Sequence, residues 1–316
     1  MKITIGTRGS ALALRQAEYV ASAIEKQLSG AKTELTIIKT RGDKILDTPL
    51  AQIGGKGLFT KEIEDALLDG RVDLAVHSMK DLPTELPEGL HIAAVLERED
   101  PRDVFISRDG SRLEELRPNA RIGTSSLRRK AFLLHRFPDI EVISLRGNVD
   151  TRLRKMETED LAGVILAAAG IKRMGFSDRV TEYIEPDVII PAIGQGALAI
   201  ETRTGDTETN NAVAALNHPQ TAECIRVERA FLKRMGGGCQ VPMAAYCVSD
   251  GKQIKIDAAV VHPDGNPMLR EVFFGPRGDI AVGIRSADAL LEKGADALLK
   301  SVLSDSWEPG PTMDII

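Results

Sequence analysis

With 316 residues, 43% hydrophobic and 28% charged, the chain has the ordinary composition of a soluble globular protein long enough for two or three domains, which argues against disorder. A formal charge of -5 and an aromatic content of 4% argue against nucleic acid as a partner. The longest nearly uncharged apolar run, Leu161 to Ile171, is too short to span a bilayer, and Met1-Lys2-Ile3-Thr4-Ile5 alternates like a strand rather than a signal peptide, so a cytoplasmic protein with no membrane partner is expected.

From the first residue to about Asn217, strand patterns alternate with amphipathic helix patterns, which predicts α/β architecture with parallel sheets. Ile5-Gly6-Thr7 leads into a helix beginning near Ser10. Thr60 to Leu68 reads as a helix, and Val72 to Val76 as a buried strand that runs into His77-Ser78-Met79-Lys80-Asp81-Leu82-Pro83. The charged passage Glu97 to Arg102 marks the exit from the first unit. Ile122-Gly123-Thr124, leading into a helix near Ser126, echoes the first turn; Asp160-Leu161-Ala162-Gly163-Val164 echoes Asp73-Leu74-Ala75-Val76, so two related units are expected. Pro186 and Pro191 punctuate a return to the first unit through Gly194-Gln195-Gly196 and the strand Ala197 to Thr202.

The last hundred residues read as a small α+β domain: a helix from Ala222 to Met235, a glycine loop, alternating strands around Val241 to Val248 and Ile254 to Val261, and a helix from Ser286 to Leu303. The expected boundaries are residues 1–97 with 197–215 for domain 1, 98–196 for domain 2 and 216–308 for domain 3, with 309–316 as a frayed tail.

Chemistry is concentrated at the turns where strands run into helices. The first N–H groups of a helix are unpaired and carry the positive end of its dipole, so such turns receive anions. This chain places Arg8 before Ser10, Arg128 and Arg129 just after Ser126, and Arg146 and Arg152 around the next turn; residues 121–155 hold nine Lys or Arg against Asp139, Glu141 and Asp150. A cation at a helix start costs ~0.3–1 kcal/mol, whereas a charge-assisted bond to a ligand carboxylate returns ~1.5–3 kcal/mol. Any single arginine is equally consistent with a surface charge or an ion pair; together they indicate a pocket for carboxylates or phosphates.

Asp81, just past a strand end, has two open readings: an ion-pair partner for these arginines, or a carboxylate facing a cation that develops on a substrate. In the second case an attraction at ~4 Å and an effective dielectric near ~20 amounts to ~4 kcal/mol, about three decades of rate. His77 lacks triad partners and reads as structural. Gly54-Gly55-Lys56-Gly57 lacks the spacing of a phosphate-binding P-loop and reads as a connection, or a lid bearing Lys56 and Phe59.

Cys224, Cys239 and Cys247 make an odd count without a Cys-x-x-Cys pair, so neither a disulfide framework nor a metal site is expected. Cys239 follows Gly236-Gly237-Gly238. It reads either as an inert thiol after a helix cap or as a thiol presented on a permissive loop, where it can carry a covalent group.

Five segments bear a resemblance that covers nearly the whole chain: residues 54–62 (GGKGLFTKE), 77–83 (HSMKDLP), 123–129 (GTSSLRR), 146–149 (RGNV) and 237–242 (GGCQVP). The chain resembles the porphobilinogen deaminase, or hydroxymethylbilane synthase, family. That resemblance implies a transferase that condenses four porphobilinogen molecules, releasing ammonia, into the linear tetrapyrrole hydroxymethylbilane. It implies a dipyrromethane cofactor held by a thioether at Cys239 and Asp81 as the catalytic carboxylate. Thr124, Ser126, Arg128, Arg129, Arg146, Gly147 and Lys80 would bind the cofactor; Arg8, Ser10, Arg152, Arg173, Lys56, Phe59 and Gln195 would bind substrate. In fold the family is similar to type II periplasmic binding proteins in its first two domains, joined by crossover strands, and acts as a monomer. Two departures stand out: Gly236 replaces a usual acidic residue and Leu82 a common valine.

Overall fold

A computed structural model describes residues 1–44, 57–237, 241–303 and 310. The chain separates into two units, Met1–Glu99 with Gly196–Ala222, and Asp100–Gln195 with Glu223–Ile316.

In the first unit β1 (Lys2–Thr7), β2 (Lys32–Ile37), β3 (Leu74–Ser78), β4 (Leu90–Val95) and the late strand β10 (Leu198–Arg203) form one sheet in the order β2-β1-β3-β10-β4. β1 lies parallel to β2 and β3, and β10 runs antiparallel between β3 and β4. Successive residues of β3 serve opposite faces, as strand geometry requires. Leu74 and Val76 join Ile3, Ile5 and the buried stripe Ala17, Val20, Ala21 and Ile24 of helix Ala11–Gln27. Ala75 instead meets Ile63, Ala66 and Leu67 of helix Lys61–Leu68. The sheet is therefore covered on both faces, which explains its apolar parallel strands.

The second unit repeats the plan. β5 (Asp103–Ser107), β6 (Arg121–Gly123), β7 (Glu141–Ile143), β8 (Gly163–Ala167) and β9 (Glu182–Ile184) take the order β7-β6-β8-β5-β9. β6 is parallel to β7 and β8; β5, the entering crossover strand, is antiparallel to β8 and β9. Each sheet thus has three parallel strands, a strand delivered by the crossover, and an edge, which is the α/β arrangement with crossover strands expected from the sequence.

Both sequence echoes occupy matching places, with one slip. Ile5 and Gly6 pair with Leu74 and Ala75, while Ile122 and Gly123 pair with Gly163 and Val164. The amide of Asp73 donates to the Thr4 carbonyl at 2.8 Å, and that of Ala162 to the Arg121 carbonyl at 2.8 Å. Ala162, not Asp160, is therefore the counterpart of Asp73, and Asp160 sits in the preceding turn with φ 52°.

The third sheet, β11 (Met243–Ser249), β12 (Gln253–Val261) and β13 (Met268–Pro276), is antiparallel in chain order. Ala258 and Val260 of β12 pack with Val227 and Phe231 of helix Pro219–Arg234 and with Val282 and Leu290 of helix Ala281–Glu292. Ala259 and Val261 pack on the other side with Ala131 and Phe132 of helix Leu127–Arg136. The α+β segment thus shares a core with the second sheet. Sequence reading missed β13, whose residues are mostly half-exposed, and fused two helices, Ala281–Glu292 and Ala295–Leu303; the helix is interrupted between Glu292 and Ala295, where Gly294 takes φ 93°. No helix among the described residues is long and apolar enough to cross a membrane.

Gly163 has no room for a methyl group: a Cβ there would lie 2.2 Å from the Phe105 ring and 2.6 Å from the Ile106 carbonyl oxygen. Phe105 is fully buried and the carbonyl belongs to the neighbouring strand, so neither yields easily. Gly163→Ala is expected to lower the free energy of unfolding by ~1–3 kcal/mol in chemical denaturation, the range for overpacking.

Candidate active site

Parallel pairing puts the carboxyl ends of β1, β2 and β3 on one edge of the first sheet, the edge where open α/β sheets bind ligands. Arg8 and Ser10 follow β1 there, and the single 3-10 turn Met79–Asp81 follows β3. Ser10 caps helix Ala11–Gln27, accepting from the Ala13 amide at 3.3 Å. Arg8 donates through Nη2 and Nε to Asp43 at 2.5 and 3.1 Å and lies 4.2 Å from the Phe59 ring centroid. Asp43 also accepts from the amide and hydroxyl of Thr40. Burial alone would raise its pKa, but Arg8 and Thr40 outweigh burial and hold it below the usual range. Gly42 permits this arrangement, since a Cβ there would lie 2.1 Å from the Phe59 ring.

Asp81 is exposed and, among the described residues, makes no hydrogen bond or ion pair. The reading in which it merely neutralises an arginine finds no support there. Lys80 beside it is half-buried. His77 is buried in the sheet with Nε2 2.9 Å from Oε2 of Glu201, consistent with a structural role.

In the second unit β6, β7 and β8 likewise end on one edge, and the turns beyond them carry the expected cations. Thr124 Oγ1 accepts from the Ser126 amide at 3.2 Å, and Ser126 caps helix Leu127–Arg136 by accepting from the Arg129 amide at 3.3 Å. Asn148 caps helix Val149–Thr158. Gly147 has φ 123°, and a Cβ there would lie 2.5 Å from Thr151, so only glycine fits; its carbonyl accepts from Arg152 Nε at 2.8 Å. Arg173 ends helix Ala168–Arg173, which follows β8.

Sequence reading did not single out Asp103, the first residue of β5. It is wholly buried, accepting from Arg128 Nη2 at 2.8 Å, from Arg129 Nε and Nη2 at 3.1 and 2.8 Å, and from Gln195 Nε2 at 2.9 Å. Burial would push its carboxyl up; the two guanidinium groups and the Gln195 amide prevail and hold it at about 2. Arg128 and Arg129, each 5% exposed, also donate to the carbonyls of Ile190 and Ile165. Gln195 is 1% exposed and bonds the Pro101 carbonyl at 2.7 Å as well, so it lies in this buried network.

Arg146 and Arg152 are different. Among the described residues neither has a carboxylate partner. Burial, followed by the like charges of Arg129 and Arg146, brings the Arg152 guanidinium down to about 10. A guanidinium brought down by burial and by neighbouring cations has the electrostatics of an anion receptor, and ligands bearing carboxylates fit it. Lys56 and Cys239 lie outside the described residues.

A family model described as porphobilinogen deaminase, dipyromethane cofactor binding domain, matches residues 3–211, and one described as porphobilinogen deaminase, C-terminal domain, matches residues 222–292. The chain is 51% identical over 302 residues to the porphobilinogen deaminase of Pelobacter propionicus, covering 95% of this chain and 97% of that protein. It is 52% identical over 302 residues to that of Geotalea daltonii, with 95% of each covered. The backbone also aligns with a TRAP periplasmic solute binding protein from Desulfovibrio salexigens, with TM-score 0.42 and 10% identity over 70% of this chain and 73% of that one. The chain belongs to the porphobilinogen deaminase family.

Proposed function

We propose that this chain joins four porphobilinogen molecules head to tail, releasing ammonia at each step, to give hydroxymethylbilane, and that it works as a cytoplasmic monomer without nucleic acid or membrane partners. The observation that carries this reading is that, among the described residues, Asp81 has no ion pair on the strand-end edge of the first unit and Arg146 and Arg152 have no counter-carboxylates on that of the second.

Porphobilinogen carries two carboxylates, so each addition delivers permanent negative charge that guanidinium groups can meet bidentately. Arg146, Arg152, Arg173, Thr124, Ser126, Gly147, Arg128 and Arg129 serve these carboxylates in the second unit, with Arg8, Ser10 and Lys80 in the first; Lys56, Phe59 and Gln195 complete the substrate and cofactor contacts. A dipyrromethane held as a thioether by Cys239 fits this cationic set, because its own carboxylates supply the missing counter-charge. When bound, that group supplies the pyrrole carbon to which the first substrate is joined.

Ammonia leaves the protonated aminomethyl group of porphobilinogen with the C–N bonding pair, so positive charge remains on the pyrrole and its methylene carbon, which the terminal pyrrole carbon of the growing chain then attacks, losing its ring proton. Asp81 meets that charge. A carboxylate not already committed to a cation loses nothing when the new charge appears, and its attraction favours the transition state over the ground state. The domain division 1–97 with 197–215, 98–196 and 216–308 assigns these roles to domains 1 and 2 and the tether to domain 3.

Intact-mass spectrometry tests the reading directly. The parent protein is expected to exceed its sequence mass by two joined pyrroles and Cys239→Ser to show no excess; a parent at its sequence mass would exclude the covalent primer. Asp81→Ala should keep the parental circular dichroism while turnover falls by about three decades, the size of the electrostatic term, and near-normal turnover would remove its assigned role. In a Cys239→Ser background, Arg152→Gln is expected to leave the melting temperature unchanged or higher, because it removes a charge that the fold already disfavours. In the Cys239 protein the same change should raise KM about 10-fold or more, the worth of one charge-assisted bond.

A further inference from the structure

Consecutive residues of a helix point about 100° apart, so the backbone of helix Leu127–Arg136 directs Arg128 and Arg129 away from each other. Their side chains nevertheless converge, and a single carboxylate makes them do so. Asp103 Oδ2 takes Nη2 of Arg128, and Oδ1 takes Nε and Nη2 of Arg129. Each guanidinium is then locked by a second anchor, the Ile190 carbonyl at 2.6 Å for Arg128 and the Ile165 carbonyl at 3.0 Å for Arg129. Two cations against one anion leave this buried set with a surplus positive charge.

The same carboxylate also grips the chain where it enters and leaves this part of the second unit. Asp103 stands just after the entry at Asp100, and Gln195 is the last residue before the exit to Gly196. The Gln195 amide bonds Asp103 at 2.9 Å and the Pro101 carbonyl at 2.7 Å, clasping the two passages together.

We propose that Asp103 is a positioning residue for the condensation: it brings two divergent arginines to one place, turns their surplus charge toward the ligand carboxylates, and holds that pair in register with both crossover passages. It does not itself touch ligand. The inference rests on the reading that Arg128 and Arg129 receive the carboxylates of the dipyrromethane or the growing chain.

Two variants test it beside the parent. Asp103→Glu keeps the charge and moves the acceptor by one methylene; Asp103→Asn keeps the shape and removes the charge. A parent without the two-pyrrole mass would defeat the underlying reading and not the positioning role, so the parent's intact mass is measured first. With a loaded parent, folded Asp103→Glu is expected to keep the parental near-UV circular dichroism, to acquire the cofactor roughly 10-fold more slowly from porphobilinogen, and to raise KM about 10-fold with kcat within about threefold. Asp103→Asn should move the same quantities further. A role confined to stability would lower the melting temperature without moving KM. Either variant folding with parental loading and KM would overturn the proposal, and so would failure of both to fold, which would assign Asp103 to the core alone.

Discussion

Positive side chains at the amino ends of helices oppose the helix dipole and one another, and a fold that gathers them must supply an anion or bear the repulsion. In the second unit the protein supplies one carboxylate, Asp103, to two of the gathered arginines and, among the described residues, none to Arg146 or Arg152. That incomplete neutralisation leaves the strand-end edge with an excess of positive charge among the described residues. A ligand with two carboxylates per repeating unit is matched to such a surface because each unit added brings charge of the sign the edge lacks. Sulfate or phosphate would satisfy the same charge, so it is the family membership that gives the ligand its identity as porphobilinogen.

Much of the scaffold was legible because its signals are local. The strand-turn-helix spelling Ile-Gly-Thr is written within a few residues, and the helices expected to begin near Ser10 and Ser126 do so, with those serines as their caps. The paired echoes also pointed to two sheets of one plan. Their detailed alignment failed by two residues because an aspartate in the turn before β8 mimicked the aspartate that bonds β1 ahead of β3; only the backbone register distinguishes them. The fused carboxy-terminal helix failed differently: Leu290, Leu298 and Leu299 continue an apolar stripe across Lys293 and Gly294, and periodicity does not register a break that leaves the stripe intact.

The residues that sequence reading missed are those whose partners lie far along the chain. Asp103 meets Arg128, Arg129 and Gln195, between 25 and 92 positions away, and Asp43 meets Arg8 at a separation of 35. Thr40, three residues from Asp43, is a local partner, but nothing near either aspartate in sequence announces its arginine; Asp103 reads only as the polar start of a strand. The arginines were found because several occupy one kind of turn, but the distinction between Arg128 and Arg129, already ion-paired, and Arg146 and Arg152, without a carboxylate, needs the fold. Gln195 likewise becomes interpretable only when the crossover brings it beside Pro101 and Asp103.

Under the proposed function, the division of the chain into two units has an electrostatic consequence. A carboxylate that is to stabilise a short-lived cation must be free of an ion pair, whereas guanidinium groups that are to hold permanent anions are satisfied by any carboxylate that pairs with them. Asp103 shows the outcome: placed among arginines, it is held ionised at about 2 and fully engaged, able to organise its neighbours but not to answer a new positive charge. Asp81 stands on the strand-end edge of the other unit, exposed and without an ion pair among the described residues. In the proposed function the same functional group performs two tasks that its surroundings decide, and the duplicated sheet supplies two strand-end edges on which those surroundings can differ.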